Sequence, residues 1–209
     1  MGSGFFAVGR RRSTQFTVVI PVLNAGSKIV RTIDSILENC DSAGVRLHIQ
    51  DGGSTDDTLR HVKSRLTSTR LPSDFRWTVL SSPDGGVYDA VSRGYFATNP
   101  EPSSWFTWIN AGDELSANAL SSISTIDKLD PSVAFVTGSV KAKMADGSYV
   151  VRPILASLPT VRSGLFDGVH LPFLQQEGTF FRASLMRRIR VDKFRSFKAA
   201  GDYFLWCEL

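Results

Sequence analysis

At 209 residues the chain is long enough for one substantial α/β domain and too short for two full ones. Its composition, 42% hydrophobic and 21% charged, is ordinary for a globular protein, and its net charge of +4 is mild. The basic residues are scattered and no nucleic-acid-binding motif accompanies them, which argues against a nucleic-acid partner.

Predicted strands and helices alternate through the first two thirds of the chain. The β-branched run Phe16–Val22 fits a buried parallel strand, and shorter apolar runs predict further strands at 45–50, 77–80, 105–109 and 133–140. Apolar residues at helical spacing predict helices between them, at 28–39, 55–66, 87–98 and 115–129. Because alternating strands and helices form βαβ units, we expect an α/β fold with a mostly parallel, Rossmann-like sheet flanked by helices.

The pattern changes after residue 140. Asp146-Gly147 predicts a hairpin turn, the segment 153–176 predicts a long loop, and a strand and a short helix are predicted at 178–182 and 183–189. We expect a small antiparallel portion here. A helix-like run begins at Gly201 and stops at Leu209, which predicts a truncated or short-ended chain. Residues 1–14 are expected to be a disordered basic tail, which leaves 15–209 as one domain.

The sequence carries no signal for secretion or membrane insertion. Met1–Gln15 lacks the apolar run of a signal peptide, and no segment approaches the roughly 20 apolar residues of a membrane span. Cys40 and Cys207 are far apart, as expected for thiols in a reducing compartment. We expect a cytoplasmic protein, with peripheral contact at the inner membrane face, through basic residues of 182–195, as an option.

Short polar loops follow the first four predicted strands. They contain glycine, three of them contain acids, and they span residues 21–26, 51–56, 82–86 and 110–114. Any one of them could be a simple turn. Ligands of open parallel sheets bind at the carboxyl ends of the strands, so four such loops on one edge predict a carboxylate-rich pocket. Sugar transfer from a nucleotide diphosphate needs such a pocket: acceptors for the base and ribose, a carboxylate for Mg²⁺ or Mn²⁺, and a carboxylate general base.

These segments resemble glycosyltransferase family 2, the inverting enzymes with the GT-A fold. The resemblance covers about residues 16–209. It rests on five segments in the family's order: VVIPVLNAG, DGGSTDDT, SPDGGVYDAVSRG, WINAGDEL, and QQEGTFFRASL followed by AGDYFLW. It implies a nucleotide-binding part at 15–115 and an acceptor part at 116–209.

The resemblance also implies residue roles on the donor side. The residues concerned are Pro21, Asn24, Asp51, Asp84, Asp89, Arg93 and Asn110. Pro21 and Asn24 would line the nucleotide pocket, and Asp51 would hold the base. Asp84 would lie near the nucleotide or its ribose. Asp89 and Arg93 would lie beside the diphosphate or the donor sugar.

The resemblance further implies a divalent metal, Mg²⁺ or Mn²⁺, on Asp113, and Asp202 as the general base. The family's metal motif is usually D-x-D, and Asn110 stands at its first acidic place. Asn110 can still hydrogen-bond a ribose or a metal-bound water, but it removes a charge. We therefore expect weaker metal affinity, which ordinary tight activation in a divalent-metal titration would contradict.

Simpler structural roles remain open for these residues. Asp51 could cap the turn before Ser54, and Asp113 and Asp202 could be helix N-caps. Glu177 could be a second acid in the acceptor pocket or a surface residue. Trp206 could face the core or the acceptor.

The implied function is transfer from a nucleotide-sugar donor, by default a UDP-sugar, to a saccharide or lipid-linked saccharide acceptor. A catalytically inactive GT-A-like binding protein is the main alternative because of Asn110. A sugar nucleotidyltransferase fits less well, because its first loop should be a long glycine-rich cradle and 21–26 is short. A dinucleotide-binding oxidoreductase is excluded, because 24–26 offers one glycine where G-x-G-x-x-G is required.

Overall fold

The first strand, β1 (Gln15–Val22), is buried along nearly its whole length and lies at the centre of a parallel set. A computed structural model gives the fold, and it describes residues 13–40, 43–144, 146–152 and 157–209. In parallel register, β1 pairs with β2 (Gly44–Asp51), which in turn pairs with β3 (Phe75–Ser81). On the other side, β1 pairs in parallel with β4 (Trp105–Trp108). The predicted parallel sheet is therefore confirmed.

The six-stranded sheet is completed by β5 (Phe135–Thr137) and β8 (Thr179–Arg182), in the order β3-β2-β1-β4-β8-β5. β8 is antiparallel to both β4 and β5. The predicted strand 133–140 was too long, because the sheet strand stops before Gly138. The chain then forms a separate two-stranded antiparallel sheet from β6 (Val140–Lys143) and β7 (Tyr149–Arg152). The predicted turn between them is confirmed, with Gly147 at φ 84°.

Seven α-helices are described, at Lys28–Leu37 (α1), Thr58–Thr67 (α2), Val87–Thr98 (α3), Ala119–Leu129 (α4), Leu158–Arg162 (α5), Val191–Ser196 (α6) and Gly201–Glu208 (α7). The prediction for α3 is confirmed at both ends. α4 begins four residues later than predicted, because Asn118 adopts a left-handed conformation at φ 65°. The segment 153–176, predicted as a loop, contains α5, and its residues 153–156 lie outside the described part. Short 3₁₀ turns at Gln176–Gly178 and Ala183–Arg187 flank β8.

Two hydrophobic cores lie on the two faces of the sheet. Alternate residues of β1 divide between them: Val18 and Ile20 pack with α1, α2 and α4, whereas Val19 packs with α3, α6 and α7. Trp206 is 2% exposed and stacks on Trp108 with ring centroids 5.8 Å apart. Trp206 therefore belongs to the second core.

Residues 1–12 of the predicted tail lie outside the described part of the chain. Thr14, the last residue of that tail, is buried, and its hydroxyl donates to Asp127 at 3.0 Å. Thr14 is therefore packed against the rest of the domain. Among the helices that the structure describes, none combines the length and apolar character needed to cross a bilayer.

Candidate active site

The loops after the parallel strands meet at one edge of the sheet and form a pocket of about 410 Å³, here called the loop pocket. Four of the donor-side residues expected from the sequence line it: Pro21, Asn24, Asp84 and Asn110. Lys28, at the start of α1, adds a cation to the wall. The topology brings these residues together because each lies at the end of a parallel strand, in the loop after one, or at the start of a helix at the carboxyl edge of the sheet.

Asn24 joins the loops that follow β1 and β2. It adopts a left-handed backbone conformation at φ 51°, which asparagine tolerates better than most residues. Its side-chain oxygen accepts the backbone N–H of Thr55 at 2.8 Å, and its own N–H donates to the Ser54 hydroxyl at 2.8 Å. Asn24 therefore fixes the shape of the pocket wall as well as lining it.

Asp51 supports the second loop from below. Its side chain is fully buried at the end of β2 and accepts the N–H of Ser54 at 3.0 Å and the Ser81 hydroxyl at 2.6 Å. The Ser54 hydroxyl donates to the other carboxylate oxygen. The structure therefore shows Asp51 as a loop cap, and the expected contact with a nucleotide base stays a prediction.

Asp84 lies against Gly52, in the loop after β2. A Cβ on Gly52 would meet a carboxylate oxygen of Asp84 at 3.0 Å, so a side chain at position 52 would crowd Asp84. The same carboxylate accepts the N–H of Gly86 at 2.9 Å. Glycine at position 52 thus leaves room for Asp84 at the pocket wall.

Asp89 sits behind the loop pocket in an ion-pair network. Its carboxylate is 6% exposed and pairs with Arg93 at 2.8 Å and with Arg195 at 2.7 Å. The N–H of Gly85 donates to it at 2.8 Å. Burial alone would raise the pKa of Asp89, but the hydrogen bonds from Gly85, Arg195 and Arg93 outweigh it and lower the pKa. Asp89 and Arg93 therefore support the 82–86 loop, and their expected contact with the donor stays a prediction.

Two cations of this region were not singled out from the sequence. Arg195 reaches Asp89 from α6, and the Lys198 ammonium donates to the carbonyl of Gly85 at 2.5 Å. The sequence showed a basic stretch near the end of the chain but no spacing that would join it to a loop more than a hundred residues earlier. Both cations lie at the edge of the loop after β3.

A second cavity of about 410 Å³, here called the acid cleft, adjoins the loop pocket. Its wall contains Asp202, Glu177 and Tyr88, and it shares Val87 and Asn110 with the loop pocket. The Tyr88 hydroxyl donates to Asp202 at 3.2 Å. The two cavities are therefore neighbours with Asp202 on the far side of their common wall.

Asp202 lies in the first turn of α7, and the residue before this helix has a left-handed backbone conformation. Ala200 has φ 55°, and a Cβ on Gly201 would come within 2.7 Å of the Tyr88 ring. Because position 201 is glycine, α7 can approach the Tyr88 ring closely. The Tyr88 hydroxyl can then reach Asp202. The N-cap of α7 is Ala200, so Asp202 is not the N-cap of this helix.

Three acids converge near the acid cleft: Asp113, Glu177 and Asp202. Burial raises the pKa of Glu177, and the charges of Asp113 and Asp202 raise it further. Asp113 follows Gly112, which has φ 112°, and its N–H donates to the Asn110 carbonyl at 3.0 Å. Burial raises the pKa of Asp113, and a hydrogen bond from the Asn110 side chain partly offsets this. Glu177 is therefore a residue of the site rather than of the open surface.

The oxygen donors present fit a divalent cation that shares its ligands with a diphosphate. Asp113 offers a half-buried carboxylate and Asn110 an adjacent amide oxygen. Mg²⁺ is commonly held by one or two carboxylates together with substrate phosphates and waters. Among the residues that the structure describes, no group of three His, Cys, Asp or Glu residues is placed to hold a metal by itself. Such a cation would therefore need phosphate oxygens to complete its shell.

Comparisons with known proteins identify the fold. The chain superimposes on S. aureus TarS 1–349 in complex with UDP-GlcNAc, with a TM-score of 0.65 and 14% identity over 92% of this chain and 52% of that one. It also matches the mannosyltransferase PcManGT of Pyrobaculum calidifontis in complex with GDP-Man and Mn²⁺, with a TM-score of 0.57 and 17% identity over 83% of this chain and 46% of that one. A third match is the glucosyl-3-phosphoglycerate synthase of Mycobacterium tuberculosis in complex with UDP, with a TM-score of 0.54 and 18% identity over 85% and 60% of the two chains.

The chain spans about half the length of the solved structures that it matches. A search of curated proteins gave no significant match. The family model described as glycosyl transferase family 2 matches residues 17–190, which covers the loop pocket and most of the acid cleft. This chain has the GT-A fold and belongs to glycosyltransferase family 2.

Proposed function

We propose that the domain is an inverting glycosyltransferase that moves a sugar from a UDP-sugar donor to a hydroxyl of a saccharide or lipid-linked saccharide acceptor. The observation that carries this proposal is the common wall of the loop pocket and the acid cleft, formed by Val87 and Asn110. A nucleotide in the loop pocket would direct its sugar across that wall towards Asp202. The UDP-GlcNAc bound to TarS, a protein of similar fold, supports a uridine donor.

Donor recognition falls to the residues of the loop pocket. Pro21 and Asn24 form the wall after β1, Asp84 contributes acceptor oxygens for ribose hydroxyls, and Lys28 contributes a cation for phosphate. The metal site would lie beside this pocket, because Asn110 lines the pocket and Asp113 follows it three residues later. A divalent metal, when bound, supplies charge neutralisation of the leaving diphosphate, and Asp113 with Asn110 are the residues that would hold it.

Asp202 serves as the general base. The Tyr88 hydroxyl holds one oxygen of the Asp202 carboxylate, which leaves the other oxygen to accept the proton of the acceptor hydroxyl. As that proton moves to Asp202, the acceptor oxygen bonds to the anomeric carbon of the donor sugar. The bond from that carbon to the diphosphate oxygen breaks, and the nucleoside diphosphate leaves with the electron pair. Attack opposite the leaving group inverts the anomeric configuration.

The first test is turnover of Asp202→Asn, which keeps the shape of the side chain but cannot accept the proton. With a panel of UDP-sugars and GDP-mannose, we expect donor cleavage to fall by about 10²–10⁴-fold, the usual contribution of a general base. UDP binding should persist. Asp192→Asn, an exposed acid in the first turn of α6, is the matched control and should turn over at the wild-type rate. Undiminished turnover by Asp202→Asn would rule out the assigned base.

A binding protein without turnover is the second candidate, because Asn110 removes one acid from the metal motif. This candidate predicts UDP binding by the wild type with no cleavage of any donor, even slow hydrolysis by water. Release of UDP from one of the donors by the wild type, abolished by Asp202→Asn, would exclude it.

A further inference from the structure

A buried amide, that of Gln176, forms part of the wall of the acid cleft. The residue is 5% exposed and begins the 3₁₀ turn that leads into β8. This turn is fastened to β4, because the Thr107 hydroxyl donates to the carbonyl of Thr179 at 2.8 Å and the Thr179 hydroxyl donates to the carbonyl of Gln175 at 2.8 Å. Gln176 is therefore held in a fixed place beside the end of β4.

The two polar atoms of the Gln176 amide have different partners. Its Nε2 donates to the backbone carbonyl of Trp108, at the end of β4. A carbonyl oxygen can only accept, so this contact fixes which way round the amide lies and leaves Oε1 as an acceptor. The Nδ2 of Asn110 donates to that Oε1, with 3.5 Å between the two atoms. The backbone of β4 thus determines, through Gln176, which atom of the Asn110 side chain faces Gln176.

The second N–H of the Asn110 amide has a partner as well. The Asn110 side chain hydrogen-bonds to the Asp113 carboxylate, which can only accept when it is ionised. The two hydrogens of Nδ2 are thereby assigned to protein oxygens, one on Gln176 and one on Asp113. The oxygen Oδ1 is the atom of Asn110 that is left for a ligand of the loop pocket, which this residue lines.

A carboxylate at position 110 would not fit this arrangement. It has no N–H, so it would face the oxygen of Gln176 and would add a second negative charge beside Asp113. Turning the Gln176 amide over would supply a donor to position 110, but it would place Oε1 against the carbonyl of Trp108. Leaving a buried acceptor without its donor is costly. Asparagine at 110 and glutamine at 176 are therefore a matched pair.

We propose that Gln176 is a positioning residue of the donor site, which holds the Asn110 amide with its oxygen directed at the ligand of the loop pocket. This inference rests on the proposed function, because it takes a nucleoside diphosphate and a divalent cation to bind beside Asn110 and Asp113. It gives Asn110 a role without a charge, that of an oriented neutral acceptor. Restoring the charge by Asn110→Asp should therefore bring no gain while Gln176 is present.

The test is a double-mutant cycle on positions 110 and 176, with UDP and Mn²⁺ as the probes. Calorimetry on the full chain gives the affinity for UDP with and without Mn²⁺, and the ratio of the two affinities is called the Mn²⁺ enhancement. Gln176→Met keeps the length of the side chain and removes both polar atoms. We expect it to lower the Mn²⁺ enhancement about two- to tenfold, the usual contribution of one hydrogen bond.

Gln50→Met is the matched control for the loss of a buried amide. Gln50 is 1% exposed in β2, and its side chain contacts His48 at 3.3 Å. Gln50→Met should therefore change the Mn²⁺ enhancement by less than about twofold.

Asn110→Asp separates orientation of the amide from packing. In the wild-type background it should raise the Mn²⁺ enhancement by no more than about twofold. In the Gln176→Met background, where the opposing oxygen is gone, the same substitution should raise it at least about fivefold. A residue at 176 that only fills space would produce no such dependence. Thermal unfolding checks that each variant folds, and if Gln176→Met does not fold, the effect of Asn110→Asp in the wild-type background decides alone.

Equal Mn²⁺ enhancements in Gln176→Met and Gln50→Met would overturn the inference. So would a gain of more than about twofold from Asn110→Asp in the wild-type background, or an equal effect of that substitution in both backgrounds. UDP would still bind in these cases, so the proposed donor site would stand. UDP binding that Mn²⁺ leaves unchanged in the wild type would overturn the inference together with the metal site. No binding of UDP would contradict the proposed function and the inference with it.

Discussion

At the scale of single residues, two contacts position Asp202, the proposed general base. The Tyr88 hydroxyl holds one carboxylate oxygen at 3.2 Å, and Gly201 leaves the space that the Tyr88 ring occupies. Tyr88 is only 8% exposed and contacts Phe194 at a centroid distance of 5.3 Å, so it also belongs to the core. In the proposed mechanism, Tyr88 and Gly201 are therefore positioning residues that act through Asp202.

Tyr88→Phe should separate positioning from packing. It keeps the ring and removes one hydrogen bond, which corresponds to about a tenfold loss of turnover with little loss of stability. Tyr95→Phe is the matched control and should leave turnover unchanged. Tyr95 is a buried tyrosine of the same helix, and its hydroxyl donates to the carbonyl of Ala183 at 2.9 Å.

Gly201→Ala should lower both turnover and the free energy of unfolding, the latter by about 1–3 kcal/mol, because its methyl group would overlap the Tyr88 ring.

Steady-state turnover and thermal unfolding of the three variants decide this prediction. Equal turnover losses in Tyr88→Phe and Tyr95→Phe would mean that the hydroxyl acts only through stability. Gly201→Ala with wild-type turnover would show that the close approach of α7 to Tyr88 is irrelevant to the reaction.

The sequence predicts which residues line the loop pocket when their position follows from the order of the strands. Asn24, Asp84 and Asn110 directly follow parallel strands, so a parallel sheet brings them to one pocket. The same reasoning could not show that Asp51 accepts a hydrogen bond from Ser81, because Ser81 belongs to another strand. Asp202 was identified by resemblance, whereas its contact with Tyr88 joins residues 114 positions apart.

At the scale of elements, α6 is the clearest case of a helix that local pattern did not reveal. It is six residues long, too short to show a helical period, and it is stabilised by burial of Phe194 in the second core. This helix positions Arg195 so that it forms an ion pair with Asp89. α4 shows the opposite error: its apolar spacing extends back to Leu115, which is buried without being helical.

The free energy of unfolding should depend on pH through the ion pairs that Asp89 forms with Arg93 and Arg195. The pKa of Asp89 lies below its ordinary value of 3.8, so its ionised form stabilises the fold above about pH 4, and this stabilisation is lost as the pH falls through the lowered pKa. Arg195→Met keeps the aliphatic stem and removes the charge. We expect a loss of about 1 kcal/mol at pH 7, a figure reduced for solvent screening because Arg195 is 41% exposed.

The difference in unfolding free energy between the wild type and Arg195→Met should therefore shrink between pH 5 and pH 3, measured by urea unfolding at each pH. Arg60→Met removes an ion pair with Asp57 whose partners are 68% and 64% exposed, and it should have a much smaller effect. A difference that is independent of pH would show that Arg195 stabilises the fold by packing and not through Asp89.

At the scale of the whole molecule, the six-stranded sheet separates two cores, and the loops that form the loop pocket lie at one edge of it. The parallel half was predictable, since βαβ units admit few arrangements. The insertion of β8 between β4 and β5 was not, because it pairs strands across the long segment 138–178 and no local pattern selects that partner. Glu177 reaches the site through this insertion, since it lies in the turn that enters β8.

The measurement that tests the account most directly is calorimetric binding of UDP, with and without Mn²⁺, by the wild type, Asp113→Ala and Asp146→Ala. Asp146 lies in the exposed turn between β6 and β7 and is the matched control. We expect Mn²⁺ to strengthen binding by the wild type and by Asp146→Ala, and we expect Asp113→Ala to lose about ten- to a hundredfold of that affinity. No binding of UDP, GDP or other nucleoside diphosphates would contradict a donor site in the loop pocket, and equal behaviour of the two variants would contradict a metal held by Asp113.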